Sequence, residues 1–186
     1  MTEGGILGAA LVYPVAVVLD RTDGFRNAQS LDGLAFVQRE DPLEYEAMTW
    51  LDRSVTGTPV ILEAADFDGD FKEIARVSSR TGLPTVIGWP CHEAQWRGQR
   101  CSQGPEKPYA GRVNEVATIY TATDIRQAKA LLEKYSVEYV YVGRLERDKY
   151  GEGGLSKFPE FMLPVFENQE VTIYRMPPPA AARASP

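Results

Sequence analysis

The segment GWPCHEAQWRG, residues 88–98, gathers two tryptophans, the chain's only histidine, a carboxylate and an arginine. His92 beside Glu93 has the residue types of an acid/base pair. Neighbours on an extended strand point to opposite faces, so a hydrogen-bonded loop histidine is the plainer reading. Trp89 and Trp96, if exposed, suit sugar recognition: an aromatic face packs on the apolar face of a pyranose while Glu93, Gln95 and Arg97 bond its hydroxyls. If buried, the two rings simply cover the core. A second group sits in GRLERDKY, where Arg144, Glu146, Arg147 and Tyr150 follow a strand-like run. Glu146 and Arg147 read either as a surface ion pair of little weight or as an internal pair that pins the loop. Glu63 ends a third apolar run. Arg80 and Thr81 read as a helix end, and Asp32 with Gly33 as a turn.

These residues carry no strong catalytic signature. The sequence has no HExxH, no GxGxxG, no GxxxxGK[ST], and no Ser–His–Asp set with defensible spacing. One histidine cannot build an imidazole-based metal site, and neither a metal nor a cofactor is expected. Cys91 and Cys101 are not at CxxC spacing; they read as two thiols or, outside the cytoplasm, as a disulfide closing a short loop. The net charge of −6 argues against a nucleic-acid partner and against docking on anionic lipid through charge alone.

The elements that must position these groups follow from periodicity and turn chemistry. Asp41-Pro42 with Glu44 predicts a capped helix whose Leu43, Ala47, Trp50 and Leu51 share a face. VILEA, residues 60–64, predicts a buried strand, and FKEIARVSSRTG a helix ended by Gly82. PTVIGW predicts a second buried strand, feeding a long loop over residues 90–112. VNEVATIY reads as helix or strand. DIRQAKALLEKYS predicts a helix, VEYVYVG a strong strand, and LPVFENQEVTIYRM two strands around an Asn168-Gln169 turn. The alternation implies an α/β, Rossmann-like three-layer domain: a mostly parallel sheet with an antiparallel C-terminal edge hairpin. Ligands of such sheets bind beyond the carboxyl ends of the strands, where Glu63, the 88–98 segment and GRLER all fall.

The run Gly4–Leu19 has no charge. It is shorter than the roughly 20 residues of a full span, and Pro14 fits an ordered helix poorly. It reads as a buried segment or as the outer end of a membrane helix. The domain reading is therefore a truncated membrane helix and linker over 1–30, a soluble α/β domain over 31–176, and a disordered Pro/Ala tail over 177–186.

Three strings occur in order: TGLPTVIGWPCHEAQWRG, LLEKYSVEYVYVGRLERDKYG and GLSKFPEFMLPVFENQEVTIYRM. Together with SLDGLAFVQREDPLEYEAMTWLDRSVTGTPVILEA they resemble the C-terminal part of the YYY-type membrane proteins of Chloroflexi and archaea. The resemblance covers about residues 11–176 and lacks that family's Tyr-rich motif, which belongs to its membrane part. The family is similar to membrane glycosyltransferases of the C-type fold, which use a lipid-linked sugar. The resemblance thus implies an extracytoplasmic domain over a membrane-embedded active site in the same protein, with a glycan or lipid-linked sugar as partner. The 88–98 and GRLER segments would be its acceptor-facing surfaces. It also implies glycine where this chain has Cys91, and favours the truncated-span reading of the N-terminus. The competing expectations are a non-catalytic structural or oligomerisation domain, and an independent small-molecule enzyme using His92 and Glu93.

Overall fold

The computed structural model describes residues 3–26, 32–67, 73–98 and 109–178, with side chains from residue 12 onward. The chain clusters into two units, Met1–Ala35 and Phe36–Pro186. In the first, α1 (Glu3–Arg21) runs as a helix through Pro14. Val12, Tyr13 and Val15 stand exposed on it. Among the described residues no helix is long and apolar enough to cross a membrane. Residues 179–186 of the expected tail lie outside the described residues.

The second unit is an α/β domain around a four-stranded sheet of order β1-β2-β4-β3. The strands are β1 (Val60–Leu62), β2 (Val137–Val142), β3 (Leu163–Glu167) and β4 (Thr172–Arg175). The period-two alternation of side chains sorts the sheet into two faces. Ile61, Tyr139, Tyr141 and Ile173 face one cluster, with Ala47, Met48 and Leu51 of α3 (Pro42–Ser54) and Val77 of α4 (Arg76–Thr81). Leu62, Val140 and Val142 face the other, with Val113, Val116 and Ile119 of α6 (Ala110–Thr121) and Leu132 of α7 (Ile125–Lys134). Helices therefore cover both faces, and the sheet is the middle of three layers. The remaining helices are α2 (Ala35–Glu40), α5 (Pro90–Trp96), α8 (Arg144–Tyr150), α9 (Glu152–Leu155) and α10 (Phe158–Phe161).

The expected C-terminal hairpin is present: β3 and β4 pair antiparallel, and Asn168 Oδ1 accepts from the N–H groups of Glu170 and Val171 to shape the turn. The parallel part is smaller than expected. β1 and β2 pair parallel, while β2–β4 and β3–β4 are antiparallel. Of PTVIGW only Thr85 pairs, through one parallel bridge to Ile61. Ile61 N–H donates to the Pro84 carbonyl at 2.9 Å. Beyond that, Gly88 N–H turns to the Glu93 carboxylate instead of a neighbouring strand. The expected loop from residue 90 opens instead as helix α5, with Pro90 at its first position, where a missing N–H costs nothing. The ambiguous VNEVATIY is helical, within α6.

Candidate functional site

Beyond the carboxyl end of β2 lies a cleft of about 170 Å³, lined by Arg144 and Leu145 together with residues of α2, α3 and α4. Its floor is a buried ion network. Asp41 caps α3, its carboxylate accepting from Glu44 N–H at 2.9 Å, and this places the Glu44 side chain at the head of the helix. Ala75 takes a left-handed conformation (φ 60°) at the start of α4, just before Arg76. Arg76, 5 % exposed, forks onto Glu146 with Nη1 at 3.1 Å and Nη2 at 2.9 Å, and its Nε bonds Glu44. Arg80 joins Glu44 from the next turn at 3.4 Å and lies over the Phe36 ring. The Arg76 guanidinium also covers the Tyr141 ring, 5.3 Å from its centre.

Glu146 is fully buried, yet its four acceptor sites are used: Arg76 takes two, and the N–H groups of Ala64 and Gly143 donate at 2.9 Å each. Burial pushes its carboxyl up, but the Arg76 charge and these hydrogen bonds outweigh it and leave the group below the ordinary carboxylate value. The same pairing keeps Arg76 protonated despite burial. Gly143 has no room for a side chain: a Cβ there would meet Tyr141 Cε1 at 2.9 Å and Arg76 Nη2 at 3.2 Å. Around this neutralised floor the rim is acidic. Glu40, Glu73 and Glu170 are exposed, with Asp41 half-buried beside them, and Arg144 is the opposing cation. Arg144 makes no hydrogen bond or ion pair among the described residues.

Of the ligand-binding candidates named from the sequence, only Arg144 lines this cleft; Asp41, Glu44 and Arg80, read there as helix-end residues, line it too. Glu146 lies beneath it as the Arg76 partner. Arg147 does not pair with Glu146; it donates to the carbonyls of Val142 and Glu170 and meets Glu152 at 3.2 Å. Glu63 is buried and receives the N–H groups of Val77 and Ser78 at 2.8 and 2.9 Å, holding the first turn of α4. Burial pushes its carboxyl up, above the ordinary value, against the lowering effect of those bonds. The Tyr150 hydroxyl brackets Ala65, accepting from its N–H and donating to its carbonyl, while the ring stacks on Tyr120.

The 88–98 group is split by orientation. Trp89 is half-buried and donates Nε1–H to the Ile74 carbonyl at 2.7 Å. Trp96 is 80 % exposed and donates to His92 Nε2 at 2.8 Å, the two rings edge to face. Glu93 turns back to Gly88 N–H and meets Arg97 one turn on. Gln95 is exposed. His92 and Glu93 are therefore occupied with separate partners. Cys91 is disulfide-bonded; Cys101 lies outside the described residues. Glu44, Arg76 and Arg80 line the cleft without belonging to any motif that marks them as site residues in the sequence. A signal for Arg76 exists in IARV, an arginine flanked on both sides by residues that must be buried.

No family model matches the chain, and no curated protein matches it. Among solved structures it is similar to the C-terminal globular domain of an oligosaccharyltransferase from Archaeoglobus fulgidus. That similarity has a TM-score of 0.46 and 12 % identity, and covers 81 % of this chain and 100 % of that one.

Proposed function

We propose that this chain is the extracytoplasmic C-terminal domain of a multi-pass membrane glycosyltransferase and that it helps hold the acceptor or lipid-linked sugar. The observation that carries the binding role is the cleft at the carboxyl edge of the sheet, where Arg144, without a partner among the described residues, and exposed carboxylates surround a fixed ionic floor. Fixed arginines and carboxylates together supply both donors and acceptors, which is what hydroxyl-rich ligands require. The sequence resemblance to YYY-type proteins supports the membrane context. In this reading α1, with Val12, Tyr13 and Val15 exposed, is the outer end of the last membrane helix, and its partner is the membrane-embedded part of the same protein.

Calorimetric titration of the 186-residue chain with a panel of soluble oligosaccharides tests the binding role. Binding is expected, with a loss of about ten-fold or more in Arg144→Ala, since a charged hydrogen bond contributes roughly 1.5–3 kcal/mol. Arg144 has no partner among the described residues, so this variant keeps its fold. Absence of binding across the panel would refute the role.

A specific observation favours a second reading, a non-catalytic structural or oligomerisation domain. Glu63, Trp89, Glu146 and Tyr150 all bond the chain's own backbone. That reading expects self-association by light scattering and no glycan binding.

A further inference from the structure

Resting on the membrane context proposed above, we infer that Trp96 is a bilayer contact: its ring sits among the lipid headgroups, and the carboxyl edge of the sheet lies on the membrane side of the domain. Trp96 is the most exposed large apolar side chain among the described residues. Its ring is nevertheless held. Nε1–H donates to His92 Nε2 at 2.8 Å, and His92 stands edge to face against both Trp96 and Trp89. Trp89 in turn is anchored through its own N–H on the Ile74 carbonyl. A half-buried ring thus fixes an exposed one through the histidine.

Three observations select a bilayer as the occupant. Indole carries one donor and no acceptor, and here the donor is already used. Moving the ring out of water then strips no N–H of its partner, while a glycan would find no hydrogen bond to make with it. Charge agrees. Exposed Arg97 follows directly, and residues 95–112 carry four basic residues against one acidic in a chain of net charge −6. Tryptophan beside arginine is the composition of a membrane interface, and the local sign is the one anionic headgroups attract. Topology gives the orientation. Thr85 bridges Ile61 in parallel, so the segment before α5 runs with β1 and β2, and α5 opens at the same end of the sheet as α8. Trp96 and the cleft therefore share the carboxyl edge.

The test is tryptophan fluorescence of the full chain on vesicles of phosphatidylcholine and phosphatidylglycerol, with and without bromine on the acyl chains. A blue shift and quenching by bromine are expected in the parent and lost in Trp96→Phe, since Trp50 and Trp89 are not exposed. Trp96→Ala weakens vesicle binding by about ten-fold, the loss expected for withdrawing a large apolar side chain. Arg97→Ala lowers the preference for phosphatidylglycerol over pure phosphatidylcholine by about five-fold. Both side chains are exposed, so both variants keep their melting temperature. Vesicle binding with the same quenching in parent and Trp96→Phe, or with unchanged affinity in Trp96→Ala, overturns the inference while the membrane context stands. A shift of the Trp96 indole signal by soluble oligosaccharides without lipid also overturns it, assigning the ring to glycan. If the chain binds no vesicle at all, both the inference and the membrane context fail.

Discussion

Replacing Glu146 by glutamine changes one oxygen to an amide nitrogen, and the surroundings make that change expensive. Four donors converge on the carboxylate: two from Arg76, and the N–H groups of Ala64 and Gly143. Glutamine offers one acceptor oxygen and turns an NH2 group toward donors, so at least one donor is left unmet. Arg76 is also left as a buried charge balanced only by Glu44, itself shared with Arg80. Breaking a buried pair in this way costs about 3–5 kcal/mol. For a domain of this size each kcal/mol lowers Tm by roughly 2–4 °C, so a fall of about 6–20 °C is expected. Urea unfolding of Glu146→Gln, Arg76→Met and the double variant completes a double-mutant cycle. The coupling energy is expected to be at least about 2 kcal/mol, as for residues in one network. A Glu146→Gln variant within about 1 kcal/mol of the parent, or single effects that add within about 0.5 kcal/mol, would refute the reasoning. The pH dependence provides a second check on the sign. The Glu146 carboxyl lies below its ordinary value in the folded chain, so its contribution is present above the unfolded value of 4.5 and is lost as pH falls through the folded value. Acid titration of the parent and of Glu146→Gln should converge there.

Other perturbations follow from the same geometry. Asp41→Ala removes the cap from α3 and should cost about 1 kcal/mol by urea unfolding, with some loosening of Glu44. Gly154→Ala should unfold the chain or cost several kcal/mol, because the new Cβ would lie 2.1 Å from the Tyr120 carbonyl oxygen, a backbone atom in α6 that cannot yield. Lys157 is buried, its Nζ donating to the Tyr120 and Gly154 carbonyls, and burial lowers its pKa from 10.5 to about 8. The unfolded chain then binds more protons than the folded one between those values. Stability from this group should rise with pH across that window, and the rise should vanish in Lys157→Met. Buried Tyr120 and Tyr141, pushed up by burial, act in the opposite sense above pH 10, so the comparison of the two chains is the clean measurement.

Where local chemistry determines an element, the sequence was readable. Asp41-Pro42 marks the start of α3, the apolar face of DIRQAKALLEKYS marks α7, and VEYVYV marks the central strand. The α5 helix was legible too, since Pro90 stands at its first turn with Glu93 behind it, but the glycines and arginines that follow disguised it as loop. The PTVIGW run has the apolar composition of a strand and still pairs at Thr85 alone, because the backbone beyond is diverted to Glu93 and Trp89 anchors to Ile74. Composition does not encode that diversion. The site was harder still. Arg76 and Glu146 are seventy positions apart, and neither local string points to the other as its partner until the sheet brings the ends of β1 and β2 together. Arg144 was reached through its place after a strand, a rule of topology and not of the residue itself. Trp96 is exposed as sugar recognition would need, whereas Trp89 is tied inward.

The most direct test of the central claim, that the carboxyl edge of the sheet is where this domain meets its ligand, is chemical-shift mapping of the labelled chain against its best-binding oligosaccharide. Perturbations centred on Arg144, Leu145, Glu73 and Val171 are the expected result. Perturbations confined to the exposed face of α5 around Trp96, with those four unmoved, would contradict it.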